Sequence, residues 1–176
     1  MKETFQELYD RFHQDLYQFI FYMVKDKYTT EDLVQEVYIR VLKAYDTFEG
    51  RSSQKTWLFS IARHVTIDYF RKQGRRQKQS ANRFDFEEHG NLIKDEQPTP
   101  DEIAEKSEDI QMLYKCLDGC TKDQRMVVIL RFIQQMSIKE TADILNWTES
   151  KVKTTQHRAI QDLKDQMQKV KGGHTE

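Results

Sequence analysis

Apolar residues recur at spacings of three and four along most of the chain, the period of a helix that buries one face. Phe5, Leu8, Phe12, Leu16, Phe19, Ile20, Met23 and Val24 form the first such stripe. Thr29 or Thr30 is placed to cap a second helix, with Glu31 and Asp32 giving its first turn the charge sign that a helix N-terminus favours. Leu33, Val34, Val37, Val41 and Tyr45 line the inner face of that helix, and its pattern stops near Gly50. A third helix is predicted from about Thr56 to Lys72, with Leu58, Ile61, Ala62, Val65 and Tyr69 on one side. Between residues 77 and 107 the period is lost, apolar residues are sparse, and both prolines, Pro98 and Pro100, occur. Such a segment buries too little to offset its ordering entropy, so it is expected to be a flexible linker.

Helical spacing returns with Ile110, Leu113 and Leu117. Thr121 with Gln124, and Ser137 with Glu140, have the spacing of capping boxes that open two further helices. Asn146-Trp147-Thr148 then separates the second of these from a last helix, Glu149 to about Val170. The expected fold is all-α: two small helical domains, residues 1–76 and 108–171, joined by an acidic linker, residues 77–107.

Composition narrows the picture. Six glycines and two prolines in 176 residues are too few for the tight turns of an all-β fold. The longest unbroken apolar run, Phe19 to Val24, is far short of a membrane span. Glu3, Glu7 and Asp10 stand where a secretory signal would be basic, and two cysteines do not make a disulfide scaffold. The expected location is therefore the cytoplasm, without direct membrane insertion.

The net charge of −1 conceals four blocks. Residues 1–47 carry 6 basic and 9 acidic side chains, and residues 48–80 carry 8 and 2. Residues 81–110 carry 3 and 10, and residues 111–176 carry 11 and 8. A chain that is neutral overall can thus present two basic surfaces, although any one block could be an ordinary solvated face.

The last two helices have the form of a helix-turn-helix, whose second helix can enter the DNA major groove. Val152, Ala159, Ile160, Leu163 and Met167 project to one side of the last helix. Ser150, Thr154, His157 and Gln161 project to the other, flanked by Lys151, Lys153, Arg158 and Lys164. Hydroxyl and amide groups ringed by cations suit base-edge reading surrounded by phosphate contacts. On the third helix Phe59, Arg63, Thr66, Ile67 and Phe70 lie off the main stripe, with His64 and Arg71 at its edge. That mixture fits stacking of unpaired bases, while core packing is the alternative for Trp57, Phe59 and Phe70. The second helix carries Asp32, Gln35, Glu36, Arg40 and Lys43 around apolar Ile39, which reads equally as a protein-docking surface or a solvated face.

Glu31-Asp32-Leu33-Val34-Gln35-Glu36-Val37, Phe48-Glu49-Gly50-Arg51, and Thr56-Trp57-Leu58 with Ile61-Ala62-Arg63 and Asp68 closely resemble region two of bacterial RNA polymerase sigma factors. Leu130-Arg131, Ser137 with Glu140 and Ala142, and Val152-Lys153 with His157-Arg158-Ala159 and Leu163 resemble region four. The spacing and the lack of a region-three domain resemble the extracytoplasmic-function (ECF) class. The resemblance implies that Asp32, Gln35, Glu36, Ile39 and Arg40 dock on the clamp helices of the polymerase β′ subunit. It implies that the loop from Glu49 to Lys55 and the helix from Trp57 to Arg71 melt and read the minus-ten element, through Arg51, Lys55, Phe59, Arg63, His64, Ile67 and Arg71. Ser150, Lys151, Lys153, Thr154, His157 and Arg158 would contact the minus-thirty-five element. Further implied partners are the polymerase β flap and a cognate anti-sigma factor, in such systems often membrane-bound. His64 stands where this family often has Asn, Thr121 where Pro is common, and Thr155 and Gln156 where Arg and Leu are common.

No catalytic set or cofactor site is apparent. His13, His64, His89, His157 and His174 are scattered, no Cys/His spacing matches a zinc site, and no Gly-rich phosphate loop occurs. Cys116 and Cys120, four residues apart, read as packing thiols or as a redox pair. The expected function is promoter-directed initiation by core polymerase. An autonomous helix-turn-helix regulator would explain only residues 137–167, and a helical protein-binding adaptor only the second helix.

Overall fold

The computed structural model describes residues 4–80 and 108–173, without the side chains of residues 79–80 and 170–173. The chain divides into two compact units at residues 99 and 100, and the described part of each is helical, with no strand among the described residues. Residues 81–107, most of the predicted linker, lie outside the described residues.

In the first unit α1 spans Phe5–Val24, α2 Lys27–Ala44 and α3 Gln54–Ser80, with a 3-10 turn at Tyr45–Thr47 after α2. Thr4 and Glu7 form a capping box that opens α1: the Glu7 N–H donates to the Thr4 hydroxyl (3.2 Å), and the Thr4 N–H donates to the Glu7 carboxylate (2.9 Å). Lys25 closes α1 in the left-handed conformation, φ 56°, and its N–H donates to the Phe21 carbonyl. The cap of α2 is Asp26, not the expected Thr29 or Thr30: its carboxylate accepts the Thr29 N–H (2.9 Å) and the Thr29 hydroxyl. Thr30 is buried instead, its hydroxyl donating to the Asp26 carbonyl. An aspartate cap three residues earlier gains a charge-assisted bond that a threonine cannot give.

Leu8, Leu16, Phe19, Ile20 and Met23 of α1 meet Val34, Val37 and Val41 of α2 and Leu58, Phe59, Ala62 and Val65 of α3 in one buried core. Packed against both α1 and α2, α3 buries a wider arc than the predicted stripe. Phe59 and Thr66 therefore lie inside, contrary to the exposed aromatic face expected from spacing. Phe59 stands edge-on to Phe19 with ring centroids 5.4 Å apart, and the Thr66 hydroxyl donates to the Ala62 carbonyl (2.8 Å). The helix also outruns its predicted end at Lys72, crossing the expected domain boundary at residue 76 to reach Ser80.

In the second unit α4 spans Glu108–Cys116, followed by a 3-10 turn at Leu117–Gly119. Next, α5 (Lys122–Val128) runs directly into a π-helical turn, Ile129–Ile133. Then come α6 (Ile138–Leu145) and α7 (Glu149–Gly173). The predicted capping boxes of Thr121 with Gln124 and of Ser137 with Glu140 are both formed. Asn146 ends α6 at φ 56°, and the Trp147 N–H reaches back to the Ala142 carbonyl (3.0 Å). Thr148 then caps α7, accepting the Lys151 N–H (3.1 Å). Leu117, Met126, Val127, Ile129, Leu130, Met136, Ile144 and Leu145 close on Val152, Ala159 and Leu163 of α7, and Cys116 and Cys120 are buried as free thiols.

An aromatic seam joins α1 to α2. His13 stacks on Tyr9 at 4.4 Å, and its Nδ1 is hydrogen-bonded to the Tyr38 hydroxyl at 2.8 Å. Burial pulls the His13 imidazole below its ordinary value, and burial with the neighbouring Tyr9 pushes the Tyr38 hydroxyl up. A histidine whose pKa is lower folded than unfolded binds more protons when unfolded, so stability falls as pH drops from about 6.5 toward the folded value. Urea midpoints should therefore fall across that window for the native chain and fall less for His13→Gln. Parallel pH profiles for the two proteins would show that His13 does not carry the effect.

Candidate nucleic-acid and docking interfaces

The solvent side of α2 is a stripe with spacings of four, three, four and three: Tyr28, Asp32, Gln35, Ile39 and Leu42. Tyr28 is 55% exposed, Ile39 47% and Leu42 59%, and the acid and amide lie between them. Large apolar side chains are thus exposed among polar ones along this side of α2. Tyr28 and Leu42 escaped the sequence reading, although Leu42 continues the spacing of Asp32, Gln35 and Ile39. Glu36 and Arg40 have another job. The Arg40 guanidinium donates from Nε to Glu36 and from Nη2 to Asp68 of α3, both at 3.1 Å, bracing the edge of the face against α3.

The loop before α3 turns at Gly50, φ 73°, and Arg51 pairs with Glu49 at 2.9 Å in an exposed position. Ser53 caps α3 by accepting the Thr56 N–H (3.1 Å). Beneath the loop, Trp57 lies half-buried, 4.8 Å from the Phe48 ring and 6.4 Å from Tyr45. Lys55, expected at the DNA, is mostly covered and pairs with Asp15 of α1 at 3.4 Å, so it ties the start of α3 to α1. Phe59, expected to stack a base, is unavailable because it is core. Of the residues predicted on α3, Arg63 and Ile67 are half-buried, with the Arg63 Nε itself buried, and His64 and Arg71 are exposed. The His64 Nδ1–H donates to the Ser60 carbonyl (2.8 Å), which fixes the ring and leaves Nε2 as its outward polar atom. Farther along, Lys72, Arg75, Arg76 and Lys78 are exposed, with no acid between residues 69 and 80.

On α7, Ser150, Lys151, Lys153, Thr154, His157, Arg158 and Gln161 are all exposed, opposite buried Val152, Ala159 and Leu163. The predicted recognition face is therefore a continuous solvent surface. The Lys151 ammonium sits 4.1 Å above the Trp147 ring, a cation–π contact at the start of the helix. Thr155 and Gln156 are half-buried, and Gln156 accepts from Arg131 (2.8 Å), so these two positions face the interior edge of the unit. No group of three or more potential metal ligands occurs among the described residues, and no described helix is long and apolar enough to cross a membrane.

Two helical units, one with a part-apolar exposed stripe and the other with a helix-turn-helix, align with known protein families. Residues 8–76 match sigma-70 region 2, and residues 110–163 match sigma-70 region 4. The ECF RNA polymerase sigma factor SigX of Bacillus subtilis is 60% identical over 168 residues, covering 96% of this chain and 86% of the relative. The chain belongs to the ECF RNA polymerase sigma factors. The ECF RNA polymerase sigma-E factor of Escherichia coli K12 is 30% identical over 140 residues, covering 78% of this chain and 73% of the relative. Among solved structures, the sigma factor RpoE of Bartonella quintana, in complex with the anti-sigma factor NepR, superposes with a TM-score of 0.75 at 25% identity, covering 93% of this chain and 96% of that one. This sigma factor binds core RNA polymerase and directs promoter-specific initiation of transcription.

The burial of Phe59 separates a structural from a DNA-binding role. Phe59→Ala should destabilise the first unit by about 3–5 kcal/mol, the cost of emptying an aromatic core site. Ile67→Ala, at the outer face, should cost less than about 1.5 kcal/mol. Chemical unfolding followed by circular dichroism measures both, and equal midpoints for the two variants would contradict the core assignment.

Proposed function

We propose that the two units divide promoter recognition and polymerase docking as follows. Asp32, Gln35, Ile39 and Leu42 of α2, with Tyr28 at its start, meet the clamp helices of the polymerase β′ subunit, and Glu36 and Arg40 form the braced edge of that contact. The loop around Arg51 and the face of Arg63, His64, Ile67 and Arg71 hold the opened minus-ten strand. Ser150, Lys151, Lys153, Thr154, His157 and Arg158 read the minus-thirty-five element in duplex form. Phe132, exposed at the π-helical turn, offers an apolar contact to the β flap. Residues 1–76 and 108–171 act as the two domains, with residues 77–107 as the tether, and the polymerase supplies all chemistry. The protein works in the cytoplasm under a cognate anti-sigma factor, by analogy with the complex of RpoE and NepR.

The observation that carries this reading is the α2 stripe. Ile39 and Leu42 each leave about half of their surface exposed, and an autonomous DNA-binding regulator would have no use for that apolar surface. A protein partner covers them at a gain, because such apolar anchors dominate interface energy.

Replacing Leu42 and Ile39 by Asp should weaken binding to core polymerase by roughly 1–3 kcal/mol each while leaving helical content unchanged. Unaltered affinity for core enzyme in well-folded variants would remove α2 from the interface. For the second unit, Arg158→Ala should lower promoter binding across sequences and reduce the salt slope by about one phosphate contact. Thr154→Ala should instead change base preference at one upstream position, read by transcription from templates with a randomised minus-thirty-five element. Neither change having any effect would displace α7 as the recognition helix.

A further inference from the structure

Polar bonding holds α7 in the second unit alongside apolar packing. Arg131 leaves the π-helical turn half-buried, and its Nε–H donates to Gln156 Oε1 of α7 at 2.8 Å. From Nη1 the same guanidinium donates to the Met136 carbonyl, in the segment entering α6. Because a guanidinium only donates, the Gln156 atom facing it is the oxygen, which fixes the amide orientation. One planar group thus ties together the turn Ile129–Ile133, the start of the helix-turn-helix and its second helix.

The turn that carries Arg131 is itself well anchored. The Gln134 N–H donates to the Ile129 carbonyl and the Met136 N–H to the Leu130 carbonyl, both at 2.9 Å. Gln135 completes it in the left-handed conformation, φ 57°. The buried contacts of α7 nearest Gln156 are Val152 and Ala159, both small and fully buried. A hydrogen bond to a rigid fork is directional, so it adds to apolar packing a polar constraint on the rotation of α7 about its own axis.

Gln156 lies one residue before His157 and two after Thr154, both on the recognition face. Neighbouring helical positions differ by about 100° in azimuth, so a small rotation carries Thr154 and His157 across the groove floor. We propose that Arg131 and Gln156 are positioning residues that set the azimuth of the recognition helix, and through it the minus-thirty-five sequence preference of this sigma factor. This rests on α7 being the helix that reads that element.

The test uses the full-length protein with core polymerase on a template library with a fixed minus-ten element and a randomised minus-thirty-five hexamer, each variant scored by sequencing its transcripts. Gln156→Leu keeps the volume and removes the acceptor, and Gln156→Glu keeps the acceptor and adds a charge that Arg131 pairs. Gln156→Leu should reduce discrimination between preferred and average hexamers by about fivefold, the size of one lost specifying contact. Gln156→Glu should stay within about twofold of the native chain, as expected of a retained charge-assisted bond. Core affinity and thermal midpoint should change little in either variant. Native discrimination in Gln156→Leu, equal loss in both variants, or a loss that follows the fall in thermal midpoint would overturn the proposal. Thr154→Ala serves as the control: a change there with none in Gln156→Leu overturns the brace alone, and no change in either overturns the recognition-helix reading with it.

Discussion

The burial of α3 on two sides, against α1 and against α2, decides which side chains of the first unit are left for other molecules. On α3, Leu58, Phe59, Ala62, Val65 and Thr66 are all buried in this way. What remains is a narrow outer band with Arg63, His64, Ile67 and Arg71. The same arrangement leaves α2 with a free side, because α1 and α3 take Val34, Val37 and Val41. The exposed stripe of α2 and the outer band of α3 are therefore both by-products of one core. Arg40, bonded to Glu36 on one side and Asp68 on the other, is the polar link between them.

The second unit solves a different problem, holding one long helix against short ones. Thr121, Ser137 and Thr148 start α5, α6 and α7 by satisfying backbone N–H groups, and Asn146 ends α6. Each is a local device that positions a helix before any packing occurs, worth about 1 kcal/mol at a typical N-cap. Thr121, which occupies a position where proline is common in the family, keeps the cap through its hydroxyl and its capping box with Gln124.

Much of this was legible in the chain because helical period and capping are local. The helices, both capping boxes of the second unit and the exposed face of α7 follow from residues within four positions of one another. Phe59 was misread for a physical reason. Period gives the centre of a buried stripe but not its width, which depends on how many helices cover it. Likewise the pairing of Lys55 with Asp15 spans forty residues of sequence, and the bond of Arg131 to Gln156 twenty-five, so no spacing rule announces either. Asp26 was missed as a cap because two threonines of good capping type follow it and drew the assignment inward.

The chain's two tryptophans fall one to each unit. Trp57 is half-buried under the loop that precedes α3, against Phe48, while Trp147 is half-buried at the start of α7 beneath the Lys151 ammonium. Indole emission depends on local polarity and on adjacent charge. The protein therefore carries a separate built-in fluorophore in each unit, and replacing either one by phenylalanine leaves a chain that glows from a single known place.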